Sequence, residues 1–489
     1  YDVLGKAEYQ LGSNHVVSAH LLHAGDKLDL AEDALDMGSN GEITTGWGNT
    51  YGWLTWKAFF TPRVRATTLV SAGRISRSRN GLVEEPGRIE GPEAALVSDE
   101  GSFDFLGLRH DWIIDFTDRF AGRAGVSAKG LWADFDYLHW ARRLVADHTA
   151  ERVGQTDTVQ VTLDPTGTEI GGYLAARFKP IPWGTAEVGV RYDDHSHTGD
   201  SDLSPRVHAI VDVSDRTTVR AGWGRYHQSQ GMIELEVGDG ETEFAPSEEA
   251  TQIALGVEHR LENGVQARFE VYTREIARPR REYLNLWREI LAFPELEGDR
   301  RKVEPTEARA RGFEALISQD GPAWDWSASY TLAESEDRIE GLWVPRFMDQ
   351  RHALNLTVGY HPNPNWTLSG AWHIHSGWPY TPQEILFDTL TVFRGEGENW
   401  PLHWKEDFGP LNSERLPAYH RLDLRVTRRF QVRRGILDVY VDLFNAYNQP
   451  NLRSYDYGLR WIDNRSMYIR EPDDELLPIL PSIGFRWEF

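Results

Sequence analysis

Along most of the chain, apolar and polar residues alternate with period two. In Val265-Gln266-Ala267-Arg268-Phe269-Glu270-Val271 the odd positions are apolar and the even positions polar. Successive side chains of a strand point to opposite faces, so this run predicts a strand with one oily and one polar face. Thr185–Tyr192, Trp324–Leu332, Trp366–Ser369 and Arg421–Thr427 read the same way. About nineteen such segments can be counted, many of about 9–14 residues. The turns between them alternate in size. Gly12-Ser13-Asn14, Thr61-Pro62, Thr117-Asp118, Pro182-Trp183-Gly184, Ser214-Asp215, Glu262-Asn263-Gly264, Gly321-Pro322-Ala323, Pro362–Asn365 and Arg433-Arg434-Gly435 have tight-hairpin compositions. Between them lie polar connections rich in Glu, Asp, Gly and Pro, at 82–99, 142–167, 231–248, 277–305, 338–349, 378–418 and 449–479.

A soluble sandwich would bury its oily face under a second sheet and use strands of about 5–6 residues. Longer strands with alternating short and long connections predict an all-β fold: a transmembrane up-and-down antiparallel β-barrel, oily side outward and polar side toward the lumen. No run approaches 18 apolar residues, which excludes a bundle of membrane-spanning helices. Composition agrees with this picture. The 19 Trp, 18 Tyr and 20 Phe suit interfacial girdles. The 52 Lys and Arg against 75 Asp and Glu give a net charge of −23, which argues against a nucleic-acid partner. Cysteine is absent, so disulfide scaffolds and thiolate sites are excluded. The chain contains no G-x-S-x-G, H-E-x-x-H or P-loop, and an enzyme is a poor fit.

The C-terminal end is the sharpest local signal. Ile483, Phe485, Trp487 and Phe489 alternate with Ser482, Gly484, Arg486 and Glu488. Such an ending looks like the signal that outer-membrane barrels present to the barrel-assembly machinery. Both the first and the last segment should run toward the short-turn side. An odd count near nineteen does not close like a bacterial barrel, so one or three strands are expected before Tyr1, three giving a total of 22.

Several motifs carry a family resemblance. Leu203–Val207 followed by Arg216–Tyr226, Glu307–Glu314, Asp349–Leu356, Arg421–Arg425 with Val441–Asn448, and the closing Pro481–Phe489 occur in order on consecutive hairpins. Together they resemble TonB-dependent receptors across essentially all of residues 1–489. The family carries an N-terminal plug and often an energy-coupling box. Neither is found here, so the chain resembles the C-terminal barrel portion of such a receptor. The resemblance implies import of a bulky, scarce nutrient (a ferric siderophore, haem, cobalamin, a glycan or a peptide) across the outer membrane of a Gram-negative bacterium. It implies energy from the TonB–ExbB–ExbD complex acting through the missing plug. Outer-membrane lipid, lipopolysaccharide and a possible surface lipoprotein are the other expected partners. A passive porin and a surface-binding barrel without a plug remain the alternatives.

Alternation also nominates lumen residues: Arg268 and Glu270, Ser369, His373 and His375, Arg421, Asp423 and Arg425, and Asp438 and Asp442. Each has a plainer reading as part of a lumen charge ladder or a plug-docking wall. His373 and His375 share a face and with a third group could ligate a metal; the plainer reading is ordinary lumen residues, and no metal or cofactor is expected. Asp193-Asp194-His195-Ser196-His197 could bind a cation or be a solvated loop. Trp343, Trp378, Tyr380, Phe387, Phe393, Trp400 and Trp404 lie in or beside two outer connections. They could stack on sugars or flat chelates, or form small loop cores.

Overall fold

The computed structural model describes residues 1–30, 40–84, 93–146, 152–286, 293–387, 404–462, 465–473 and 476–489. Strands dominate, and twenty-one of them share one hydrogen-bonded antiparallel sheet. Two of these, Arg152–Leu163 and Leu342–Pro345, are returns lying along the outer parts of Phe120–Ala146 and Trp324–Ile339. The inner parts of those long strands pair instead with Thr166–Ile181 and His352–Asn363. Setting the two returns aside leaves 19 strands, the number read from alternation. The tight turns at residues 12–14, 62–63, 118–119, 182–183, 321–323, 364–365 and 433–434 each join strands that pair with one another. At Gly435 the backbone has φ +104°, and a Cβ would lie 1.7 Å from the Glu488 carbonyl oxygen, so the last hairpin requires glycine.

The chain divides into two compact units: residues 1–210, 222–252 and 276–305, and residues 211–221, 253–275 and 306–489. In the first, one face of Ala94–Thr117 and its neighbours carries Val70, Leu106, Leu108, Val126 and Leu174, all exposed. In the second, Val358, Leu368, Leu424, Val426, Val441, Ile483 and Phe485 form the corresponding rows. Apolar rows left exposed over this many strands exceed what a water-facing surface tolerates and identify the face turned to hydrocarbon. Ile483, Phe485, Trp487 and Phe489, the alternating row expected to act as an assembly signal, are all exposed.

Four strands are far longer than expected; one is Asn40–Thr61, of 22 residues. Val64–Glu84, Ala94–Thr117 and Phe120–Ala146 are 21, 24 and 27 residues long. They include 82–84, 94–99 and 142–146, which the sequence reading assigned to connections. Crossing the hydrocarbon takes about 9–11 residues, so the outer halves continue beyond it. There the hydrocarbon-side face changes to Arg74, Ser76, Ser78, Glu100, Ser102, Asp104 and Asp134. Residues 82–84 and 94–99 flank the turn-forming Glu85-Pro86-Gly87 and Gly91-Pro92 runs, and this is why they read as loop.

Candidate ligand-binding face

In the second unit, the outer ends of Trp366–His375 and Tyr419–Val432 bring several nominated residues together. The register sets His375 opposite Tyr419 and His373 opposite Arg421. The His375 ring stacks on Tyr419 with centroids 4.8 Å apart and planes 9° apart. Trp378, just beyond the strand end, lies 5.0 Å from His375 and 6.4 Å from Tyr419. His375 Nδ1–H donates to the Ser376 carbonyl (2.8 Å), which leaves Nε2 as the ring's acceptor. His373 Nδ1 lies 2.7 Å from Asn355 Oδ1.

One step along the same face, Arg421 is fixed from three sides. Its Nε and Nη2 donate to Asp423 at 3.0 and 2.8 Å. Its Nη1 donates to the Tyr419 hydroxyl at 3.0 Å, and its guanidinium lies 4.0 Å from the Phe444 ring centroid. Arg425 repeats the arrangement, paired with Asp442 and lying 4.5 Å from the Tyr440 ring centroid. The result is three half-buried rings beside a planar, pre-positioned cation. Such a surface can stack on a flat ligand and hydrogen-bond its anionic edge.

Other nominated residues lie elsewhere. Arg268 and Glu270 bond each other at 3.0 Å on Gln266–Ile276. Same-face i,i+2 pairs of this kind recur at Arg109–Asp111, Arg191–Asp193 and Arg421–Asp423. Tyr380 is buried, and its hydroxyl donates to Glu414 and accepts from Arg470 Nη1 at 3.0 Å. Burial, reinforced by that carboxylate, raises its pKa well above the ordinary tyrosine range. Tyr380 is therefore part of a small loop core with Tyr455, 5.3 Å away, rather than a free stacking surface. Trp400 lies outside the described residues, as does Phe393. Among the described residues no group of three His, Asp or Glu is placed to hold a metal ion.

The first unit holds a network that the sequence gave no sign of. Short turns at Met232–Glu234, Val237–Asp239 and Pro294–Leu296 fold against the polar-side face of the long strands. Met232, Leu235, Val237, Phe293 and Leu296 pack there on Val97, Leu131, Phe135 and Tyr137. Gly81 makes room: a Cβ there would come within 2.6 Å of the Phe293 ring. Glu295 accepts from Arg79 Nη2 and Nη1 at 2.9 and 3.2 Å and from the Tyr137 hydroxyl at 3.0 Å. Arg79 Nε also donates to Asp99 at 2.7 Å. The loops are tied to one another as well, since Arg300 forks onto Asp239 at 2.9 and 2.6 Å. Glu241 sits among the Tyr283 hydroxyl, Arg281 and Lys302. Partial burial opposes its ionisation, but these three donors outweigh that and hold its carboxyl below the usual range.

The sequence model of the family described as TonB dependent receptor-like, beta-barrel matches residues 23–448. No curated protein matches the sequence. Among solved structures, the chain resembles FpvA of P. aeruginosa bound to a heterologous pyoverdine, with 14% identity and a TM-score of 0.61. That match covers all of this chain and 64% of FpvA. It also resembles the FrpB iron transporter of Neisseria meningitidis (12% identity, TM-score 0.63, covering 100% of this chain and 72% of that one). A third is BauA, the ferric preacinetobactin receptor of Acinetobacter baumannii (13% identity, TM-score 0.59, 100% and 72% covered).

Proposed function

The chain belongs to the TonB-dependent receptor-like β-barrel family, whose members are outer-membrane receptors of Gram-negative bacteria rather than enzymes, and we propose that it forms the barrel of an importer for a bulky, scarce nutrient. The ligand class we favour is a flat, anionic metal chelate of the ferric siderophore type. The supporting observation is the His375–Trp378–Tyr419 ring set beside Arg421, whose guanidinium is held by Asp423 and Phe444. Rings take the face of such a ligand and the cation its rim, so affinity comes from stacking and charge together.

In this reading the TonB–ExbB–ExbD complex of the inner membrane supplies the energy through a plug. Ile483, Phe485, Trp487 and Phe489 serve as the signal to the barrel-assembly machinery. A surface lipoprotein that hands over ligand fits the outer loops.

The test is direct titration of the full-length receptor with ferric catecholate, hydroxamate and citrate chelates, read by tryptophan quenching, with planar-bilayer conductance alongside. Saturable binding of one class, with a nearly silent bilayer, is the expected result. Steady conductance without binding of any chelate sinks the proposal and leaves a passive channel.

A further inference from the structure

In the second unit, the strand Tyr419–Val432 carries four arginines, and three of them are neutralised in the same way. Arg421, Arg425 and Arg429 lie on the polar-side face, where they pair with Asp423, Asp442 and Asp438. Alternation turns Arg428 to the opposite face. The register sets it in the cross-strand row Trp366–Arg428–Val439–Phe485. Val426 and Phe430 precede and follow it on the same face of its own strand. Val426 and Phe485 belong to the exposed rows that meet hydrocarbon. Arg428 is therefore an exposed cation set among apolar neighbours on the face turned to lipid.

Among the described residues no carboxylate pairs with it. Its guanidinium carbon lies instead 5.1 Å from the Trp366 ring centroid and 4.7 Å from that of Phe430. Aromatic faces attract the cation and restrict it, but they bring no counter-charge and leave its hydrogen-bond donors to find other acceptors. Arg428 stands near the end of its strand, which closes at Val432 on the tight turn at 433–434. Short turns of outer-membrane barrels lie on the periplasmic side. From this level a long side chain can keep its stem in oil and carry its head to the headgroup layer. A charge on a membrane-facing surface is costly unless an acceptor meets it. Here the protein supplies none, and the anionic group that the surrounding medium brings to this face is a lipid phosphate.

We propose that Arg428 is the phosphate-binding residue of a phospholipid site in the periplasmic leaflet. The guanidinium fork hydrogen-bonds two oxygens of one phosphodiester, and Trp366 and Phe430 hold the fork in position. The acyl chains run over the apolar side chains of Val426 and Val439. Recognition lies in the phosphodiester, because every other neighbour on this face is apolar and offers a lipid no charge. The inference rests on which face of the strands meets lipid and is independent of what the receptor imports.

Native mass spectrometry of the full-length protein in detergent, titrated with phosphatidylglycerol or with diacylglycerol of the same chains, tests it. The wild-type protein should retain one phosphatidylglycerol at concentrations where diacylglycerol is not retained. Arg428→Gln should weaken the phosphatidylglycerol adduct about tenfold. Arg428→Lys keeps the charge but loses the fork, and should fall between the two. Arg433→Gln removes an exposed cation from the adjoining turn and should leave the adduct unchanged. Equal retention of the two lipids by the wild-type protein would overturn the proposal. So would an adduct that Arg428→Gln leaves intact, one that Arg433→Gln weakens as much, or one displaced by inorganic phosphate alone. Heat-modifiable gel mobility verifies that each variant is folded. If Arg428→Gln does not fold, Arg428→Lys decides the question: binding as tight as wild type sinks the site.

Discussion

Arginines on the polar-side face of long strands serve two different ends in the two units. Arg79 takes its carboxylates from a neighbouring strand and from a loop 216 residues away, and both partners are almost completely buried: Asp99 is 1% exposed and Glu295 3%. Arg421 takes its carboxylate from two residues along its own strand, and Asp423 remains 27% exposed, beside three rings that are half-buried among the described residues. The source of the counter-charge makes the difference. A loop that brings the carboxylate also brings Phe293 and Leu296, and the face closes. A strand neighbour brings no such loop packing with it. One unit is thereby stabilised at its outer end, and the other carries the face proposed to bind.

The sharpest way to break this contrast is to remove the loop's carboxylate. Glu295→Ala leaves Arg79 and Asp99 in a buried network without its third member, a class of change that costs about 3 kcal/mol or more. Hydrogen exchange should show residues 231–241 and 293–303 losing protection while 366–375 and 419–432 are unaffected. If 231–241 stays protected, the loops are held by apolar packing alone. Gly81→Val tests that packing separately. The added side chain must displace Phe293, at a cost of about 1–3 kcal/mol, and the same segments should loosen with the ion pairs intact.

On the open side the signs reverse. Trp378→Ala should lower chelate affinity about tenfold, roughly 1.4 kcal/mol, with an unchanged melting temperature. A drop in melting temperature equal to that of Glu295→Ala would show that this ring set is structural as well. The smallest effect is pH-dependent. Glu241 has a depressed folded-state pKa, so its contribution is complete above the unfolded carboxyl value and is lost as pH falls through the lower folded one. Protection at 282–285 and 300–303, corrected for intrinsic exchange, should be flat from pH 7 to pH 5 and decline below about pH 4.

Much of this was legible before any coordinates. The alternation at Gln266–Ile276 and Tyr419–Val432, the tight turns and the closing row at Ile483–Phe489 are local signals, and each became the expected strand or hairpin. Arg421 and Asp423 were placed on one face by spacing alone, because i and i+2 share a face; their ion pair was not foreseen. The outermost residues of Val64–Glu84 and Ala94–Thr117 were hidden, since they flank the turn-forming Glu85-Pro86-Gly87 and Gly91-Pro92 runs. The Arg79–Glu295 bond was hidden for a different reason: no local pattern couples residues that far apart. Tyr380 was correctly placed among aromatics, but burial and the Glu414 contact make it core rather than contact surface.

The overlong strands have a consequence for how a cell carrying this protein meets its surroundings. A dozen or so residues beyond the bilayer, at the usual rise and a tilt near 45°, lift a rigid ribbon roughly 30 Å above the hydrocarbon. Its Ser76, Ser78, Glu100 and Ser102 side is an ordered epitope within reach of antibodies or phage tail fibres. An immunogen designed on that ribbon would present a fixed backbone instead of a shifting loop, and escape by loop variation would leave it untouched.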